Sequence, residues 1–363
     1  MSAATRLESE AGYSLIELLV SAAIMLTVTG AIFSLMNPSQ GTAQVQPEVA
    51  DLQQRMRVGS ETLFRELVMV GAGTYQGSVT GSLNFFFAPI LPRRWGRLSP
   101  DDATVFRPDA ITIMYIPNTY SQTTISQPMP NVSAELKVTE QANCPSGQEL
   151  CGFTEGMEVI IFDTSGHFDV FEVTQVQDDA AHLQHRGQDL SYPYDTGATV
   201  TQAHAATYYL DRNTNQLKMY DGGSHDVALV DNVVDLQFSY FGDPDPPISP
   251  KPPAGTANCL YDATGNLLNT TVLASTDGSL AALPPAILTD GPFCGYGVNQ
   301  FDSDLLRVRK IRATIRMQVG QVALRGTDTT LWTNPGKSRG SDHAVPDYAV
   351  SFEVTPRNLN LAR

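Results

Sequence analysis

The chain has a run of apolar residues near its N-terminus that contains a single carboxylate. Tyr13 to Met36 is 24 residues, or roughly 36 Å of helix at about 1.5 Å per residue, and the hydrocarbon core of a bilayer is about 30 Å thick. Glu17 is the only ionisable residue from Leu15 to Met36, and a charge costs about 2.5–3.5 kcal/mol at the centre of a span and less near its end. We therefore expect a membrane-spanning helix in which Glu17 has a function and a partner.

A glycine stands directly before the run. A secretory signal peptide has a shorter apolar core that is followed by a small-residue cleavage site. Here the candidate cleavage site, Gly12, precedes the apolar residues instead. Cleavage after Gly12 would leave the span attached to the mature protein.

These residues resemble the class III signal of type IV pilins and type II secretion pseudopilins, on the segment Gly12-Tyr13-Ser14-Leu15-Ile16-Glu17-Leu18-Leu19-Val20. The resemblance implies that residues 1–12 are a leader, that prepilin peptidase cuts after Gly12, and that Tyr13 becomes an N-methylated N-terminus. It also implies that Glu17 is the family's glutamate at the fifth mature position. The alternative is an ordinary signal anchor with a stray acid.

The leader departs from the family pattern in its charge. Pilin leaders are usually basic, and positive charge holds that flank in the cytoplasm, whereas here Arg6 is opposed by Glu8 and Glu10. The expected topology therefore rests on the motif. The resemblance implies a single-pass inner-membrane protein with its head in the periplasm, which later enters the extracellular pilus, at its tip.

The buried acid has a role in the filament that the resemblance implies. Subunits of such a filament leave the membrane and stack their helices into an apolar bundle. Glu17 of one subunit would meet the Tyr13 amine of the next, so that neither charge is buried alone, which would be strongly unfavourable.

Composition bounds the rest of the chain. Its 363 residues with 42% hydrophobic content suffice for one large domain or two small ones. Net charge is −15, or −14 once the one arginine and two glutamates of the leader are removed, which argues against nucleic-acid binding as the main role. A local basic cluster alternates with apolar residues and is expected to be one exposed face of a strand; its members are Arg307, Arg309, Lys310, Arg312 and Arg316.

The four cysteines fall into two neighbourhoods. Disulfides persist in the oxidising compartments that an exported chain meets, and of the three possible connectivities we expect the local one, Cys144–Cys151 with Cys259–Cys294. Zinc is the rival, but it usually takes a closer Cys spacing.

Two prolines follow the span. Asn37-Pro38 and Gln46-Pro47 predict a kinked connector over 37–47, because proline removes a helical hydrogen bond. An amphipathic helix is expected over 48–73, ending at Gly71-Ala72-Gly73. Its apolar positions recur at intervals of three and four residues and form one stripe: Leu52, Met56, Gly59, Leu63, Leu67 and Val70.

Residues 74–363 are expected to form a β-rich head. Runs rich in Val, Ile, Tyr, Phe and Thr predict strands over Ala110–Ile116, Met157–Phe162, Phe168–Val176, Ala206–Leu210, Gln216–Tyr220, Val233–Tyr240, Leu306–Val319 and Tyr348–Val354. No long helical pattern separates them, which favours an antiparallel sheet. The expected fold class is α+β: a long N-terminal helix packed on an antiparallel sheet, with loop insertions at 74–109 and 242–304.

Later segments narrow the resemblance to PilW-type minor pilins. They are Asp51–Ser60, Phe64–Gly73, Asp235–Tyr240 and Val354–Asn360. The resemblance implies a subunit that initiates the type IV pilus together with other minor pilins, the major pilin and a tip adhesin, and so serves twitching motility and cell adhesion. A J-type minor pseudopilin of type II secretion is the closest rival.

Catalytic motifs are missing from the sequence: there is no Gly-x-Ser-x-Gly, no His-Glu-x-x-His and no phosphate loop. His182 and His185 could share a metal, but a solvated turn is the more ordinary interpretation. Two groups are weak calcium candidates, because they imitate part of a calcium loop or place acids between prolines; they are Asp211, Asn213 and Asn215, and Asp243 with Asp245. We expect no other cofactor.

The sequence is therefore interpreted as a non-catalytic assembly component. The alternative within the binding class is a tip adhesin that grips its ligand through the aromatic residues of the first insertion, Phe85-Phe86-Phe87 and Trp95.

Overall fold

The computed structural model describes residues 12–73, 83–117, 120–142, 144–275, 279–337 and 343–360, with the backbone alone for 37–44. Two compact units are distinguished. One holds the chain up to Leu52 together with Val319–Pro346, and the other holds Gln53–Gln318 together with Asp347–Arg363.

Helix α1 (Leu15–Met69) is 55 residues long. The helix assignment continues through Pro38 and Pro47, so the interruption expected over 37–47 is not found. A proline removes one hydrogen bond, but its fixed φ of about −65° is helical, and the remaining hydrogen bonds of α1 continue on both sides. The predicted span and the predicted amphipathic helix are therefore parts of one element, which ends before Gly71, a residue with a positive φ of 70°.

The predicted stripe of α1 is buried. Gly59 lies on the same face, where an added Cβ would come within 3.1 Å of Met317 and 3.4 Å of Val230. The helix therefore packs closely on strands of the head at this point. The other stripe residues are 0–4% exposed: Leu52, Met56, Leu63, Leu67 and Val70.

The described residues contain 18 strands. They are β1 (Ile90–Leu91), β2 (Ala110–Tyr115), β3 (Gln122–Thr124), β4 (Leu136–Lys137), β5 (Glu158–Phe162), β6 (Phe168–Glu172), β7 (Gln175–Gln177), β8 (His182–Gln184), β9 (Thr199–Gln202), β10 (His204–Asp211), β11 (Gln216–Tyr220), β12 (Asp226–Asp231), β13 (Val233–Gly242), β14 (Ala281–Leu283), β15 (Phe293–Cys294), β16 (Phe301–Asp302), β17 (Val308–Met317) and β18 (Tyr348–Val354). Each of the eight predicted strands overlaps one of these.

Pairing is antiparallel throughout the described strands, as expected. The strand orders are β1-β2-β10-β11-β12, β14-β13-β17-β18, β3-β9-β5-β6, β4-β8-β7 and β15-β16. The head therefore has several sheets rather than the single sheet that the sequence suggested. The fold class is α+β, an N-terminal apolar helix with a body of antiparallel sheets.

Part of the head forms a core of its own. The chain between β2 and β10 folds into the sheets β3-β9-β5-β6 and β4-β8-β7, whose apolar side chains pack together around residues such as Leu136, Phe171 and Val200, each at most 2% exposed. This separate core was not predicted from the sequence.

The cysteines pair as predicted from their spacing. The sulfurs of Cys144 and Cys151 lie 2.10 Å apart, and those of Cys259 and Cys294 lie 1.91 Å apart. The first disulfide joins residues seven apart in the sequence and the second joins residues 35 apart, and each restricts the unfolded chain.

Truncation of the buried stripe tests the packing of α1. Leu63→Ala removes a fully buried side chain, and we expect a loss of about 2–5 kcal/mol in the free energy of unfolding. The neighbouring Phe64→Ala is the control, because Phe64 is 48% exposed and its loss should cost about 1 kcal/mol. Urea denaturation of the detergent-solubilised chain measures both, and equal losses would contradict the assigned face.

Candidate membrane and assembly site

The first part of α1 is apolar and bare. Leu15–Met36 is 22 residues with a mean hydropathy of 2.2, and none of it is buried inside the protein. By length and composition it is able to cross a membrane, and its place near the N-terminus fits either a membrane anchor or a signal sequence. Its side chains therefore need lipid or other helices around them.

Glu17 is bonded to the first turn of its own helix. The backbone N–H of Ser14 donates to Glu17 Oε2 at 2.9 Å, and the backbone N–H of Glu17 donates to Ser14 Oγ at 3.3 Å. This reciprocal pair is a capping box, in which two residues three apart satisfy the amides that a helix start leaves without partners. The Ser-x-x-Glu spacing is a sequence signature of this cap, and the sequence analysis missed it.

The hydroxyl groups of the span are also bonded within the helix. Ser21 donates to the carbonyl of Glu17 at 2.8 Å, Thr27 to Ala23 at 2.8 Å, and Thr29 to Met25 at 2.6 Å. Such bonds to a carbonyl one turn earlier leave few polar groups for lipid to solvate.

The predicted cleavage site lies in the open. An added Cβ at Gly12 would meet no atom within 4 Å, and Tyr13 is 87% exposed. Residues 1–11 of the predicted leader lie outside the described residues. A peptidase that recognises this junction therefore has steric access to the described side of it.

The basic cluster divides into an exposed face and a buried core group. Lys310 and Arg312 lie on β17 and both contact Glu353 of β18, at 2.9 and 2.5 Å. Arg316 pairs with Asp347 at 3.1 Å, so three members form the expected strand face. Arg307 does not, because it precedes β17 and is 1% exposed.

Arg307 lies beside a cluster of three aspartates that was not predicted from the sequence. Arg307 Nε lies 2.7 Å from Asp304 Oδ1, and Asn269 donates to the same oxygen at 2.9 Å. Carboxylate oxygens of Asp290, Asp302 and Asp304 lie within 4.8 Å of one another. Burial raises the pKa of Asp302 and of Asp304 to about 6. Arg307 supplies the positive charge of this network.

The predicted calcium candidates have other partners. Asp211 Oδ2 lies 2.8 Å from Lys218 Nζ, and this hydrogen bond is the main reason why the pKa of Asp211 is lowered to about 2. Asn213 donates its backbone N–H to Asp211, and Asn215 has a positive φ of 52°, as in a hairpin turn.

The second pair of calcium candidates is similarly arranged. Asp243 Oδ2 lies 2.8 Å from Arg309 Nη2, and Asp245 is exposed. Neither belongs to the group of three acids that lies close enough to share an ion among the described residues.

The two histidines face different neighbours. His182 Nδ1 lies 3.1 Å from Glu135. His185 is 4% exposed, with its nitrogens near the carbonyls of Gln188 and Ala134 at 2.5 and 2.7 Å. The solvated turn expected for this pair is therefore wrong for His185, which is a buried, hydrogen-bonded residue.

Three of the four aromatic residues named in the predicted insertion at 74–109 are buried, namely Phe86, Phe87 and Trp95, and Phe85 is half-buried. Phe87 is 0% and Trp95 6% exposed, and the Phe87 ring stacks on Phe168 with centroids 4.6 Å apart. Trp95 Nε1 donates to Asn299 Oδ1 at 2.8 Å. The rings of Phe87 and Trp95 are therefore packing groups of the head.

Comparison of the chain with protein-family models, with curated proteins and with solved structures finds no match. The resemblance of the N-terminus to pilins therefore rests on the residues of this chain.

The head also contains an acid that favours its protonated form. Glu158 begins β5 opposite Glu172 in the strand register. Burial, together with the negative charge of Asp221, raises the pKa of Glu158 to about 8, although the Ala205 amide donates to it. In the unfolded chain the ordinary value is 4.5.

This pKa shift predicts how stability depends on pH. Between pH 4.5 and 8 the folded chain keeps a proton that the unfolded chain has lost, so stability falls as the pH rises through this range. We expect Glu158→Gln to recover on the order of 3 kcal/mol at pH 8.5 and to change little at pH 4. Urea denaturation at several pH values measures this, with exposed Glu155→Gln as the control. An unchanged pH slope in Glu158→Gln would contradict the assignment.

Proposed function

We propose that this chain is a non-catalytic, membrane-anchored subunit of a type IV pilus, a minor pilin that initiates assembly, at the tip. The observation that carries the proposal is the N-terminal constellation: Gly12 in the open, Tyr13 next to it, and Glu17 bonded to Ser14 at the start of a bare apolar helix. The proposed path is membrane insertion, leader removal by prepilin peptidase, extraction and stacking of helices with those of other minor pilins and the major pilin.

The geometry of Glu17 supports an ion pair with the Tyr13 amine of a neighbouring subunit in addition to the capping hydrogen bond with Ser14. A carboxylate has two oxygens with about four acceptor positions, and the Ser14 amide takes one position on Oε2. Capacity remains for the amine of a neighbouring Tyr13. The cap holds the carboxylate at the helix start, which is where a terminal amine of a stacked subunit would arrive.

The head supports an exported location with assembly contacts. Two disulfides persist in an oxidising compartment such as the periplasm. In this proposal the segment 242–304 is an insertion of the head that contacts partner subunits, and the Cys259–Cys294 disulfide and the Arg307 network order it. In this proposal the exposed residues of the insertion at 74–109 also contact partner subunits.

The related alternative is a J-type minor pseudopilin of type II secretion, which would use the same N-terminus. Deletion of the gene separates the alternatives: loss of all pili supports initiation of a pilus, loss of secretion with normal pili supports the pseudopilin, and normal pili with poor attachment supports an adhesin.

Three substitutions test the charge role of Glu17 against its role as a cap. Glu17→Ala removes both, Glu17→Gln keeps a capping-box residue without the charge, and Ser14→Ala removes the hydroxyl acceptor at a cost of about 1 kcal/mol. We expect all three to be cleaved after Gly12, both Glu17 variants to be excluded from the pilus, and Ser14→Ala to enter it at a reduced level.

N-terminal sequencing of the native protein and immunoblots of sheared pili measure these outcomes. A native N-terminus at Met1 would refute the leader. Normal incorporation of Glu17→Gln would show that the cap, and not the charge, is what assembly needs.

A further inference from the structure

One edge of the head is a long, regular strand that has no partner on its outer side within the described part of the chain. Strand β18 is the outermost strand of the sheet β14-β13-β17-β18. It pairs with β17 over all seven residues, Tyr348 to Val354, without a register shift. Among the described residues no strand pairs with its other side, so every second N–H and C=O of β18 points outward.

The other free edges are shorter or interrupted. Strand β14, at the opposite side of the same sheet, has three residues. Strand β12 has six, but it contains a register shift and has aspartates at both ends, Asp226 and Asp231. Short strands, bulges, prolines and charges are the devices by which proteins prevent edge pairing. Strand β18 has no proline, no lysine and no bulge, and Glu353 is its one charge.

The side chains beside this edge form an apolar strip. On the face that α1 covers, Tyr348 is 55% exposed and Phe352 is half-buried. The ring of Phe352 lies 6.1 Å from that of Phe64, which is 48% exposed, and Val68, one turn later on α1, is 37% exposed. An added strand would cover these groups while its backbone pairs with β18.

We propose that the β18 edge binds an extended strand of a different subunit of the same assembly, as an inference that rests on the proposed function. Outward backbone groups call for another backbone in the extended conformation, since a helix has already used its own N–H and C=O groups. The donated strand carries apolar residues toward Phe352 and Phe64, and a neutral residue opposite Glu353, which already pairs with Lys310 and Arg312.

Charge decides between a second copy and a different subunit. Each mature chain carries a net charge of −14 after leader removal, so two heads of this kind repel each other at close approach. The exposed residues Phe64 and Val68 lie on the same helix that stacks in the proposed filament, so the proposed stacking brings a neighbouring subunit to this element. The occupant is therefore a less acidic subunit of the filament.

Hydrogen exchange tests the edge directly in the native assembly. The full chain in detergent and the chain in purified fibres are compared by site-resolved exchange and mass spectrometry. We expect the outward amides of β18 to exchange at least about tenfold more slowly in the fibre, with those of β12 unchanged. Equal exchange in both states overturns the inference.

A matched pair of lysine substitutions tests whether pairing matters for assembly. Ala349→Lys places a charge on the exposed side of β18, and Ala228→Lys does the same on β12; both alanines are exposed. We expect about a fivefold loss of incorporation for the first and no change for the second, with equal unfolding temperatures for both. Normal incorporation of Ala349→Lys overturns the inference.

The two proposals fail in different ways. If the unaltered chain never enters a fibre, the proposed function fails and this inference fails with it. If the chain enters the fibre and β18 stays as open to exchange as in detergent, the inference alone fails.

Discussion

Every backbone polar group of a membrane span must find its partner within the protein, because lipid offers none. A helix meets this demand along its length and fails at its start, where four amides are left over. Ser14 and Glu17 meet it there, because each side chain accepts a hydrogen bond from the other residue's backbone amide. Glu17, the one acid of the apolar run, therefore also completes the hydrogen bonding of the helix start. The same helix then organises the head, since its buried stripe meets strands β12 and β17 at Gly59.

The head follows a second rule, that a buried acid needs donors around it. Asp169 is 6% exposed and accepts hydrogen bonds from the Tyr194 hydroxyl, from Ser191 and from Asn299. Asp304 instead has a buried arginine beside it. Burial, together with the negative charges of Asp221 and Glu172, raises the pKa of Glu158 to about 8. These networks join segments that are far apart in the chain, and they fix the loops between the sheets.

Local patterns predicted the features that depend on local geometry. The stripe from Leu52 to Val70, the eight strands and the pairing of nearby cysteines all follow from spacing along the chain. The features that were missed depend on distant contacts: Phe87 is buried because Phe168 stacks on it, and Arg307 because Asp304 and a segment some 35 residues earlier close around it. The separate sheets between β2 and β10 escaped notice because several of their strands have only two to four residues. The capping box of Ser14 and Glu17 is a local feature that the Ser-x-x-Glu spacing predicts. The proposed function in a pilus rests on the N-terminal motif of Gly12, Tyr13 and Glu17.

The continuity of α1 has a mechanical meaning. A 55-residue helix is about 82 Å long at about 1.5 Å per residue, and tension applied to its apolar N-terminal part would pass along the backbone hydrogen bonds into the stripe that ends at Val70. There it becomes shear between the helix and the sheets, which loads all of the packed side chains at once rather than one after another. A continuous helix therefore transmits a pull on its apolar end directly to the buried stripe, which a flexible tether between the two segments would not do.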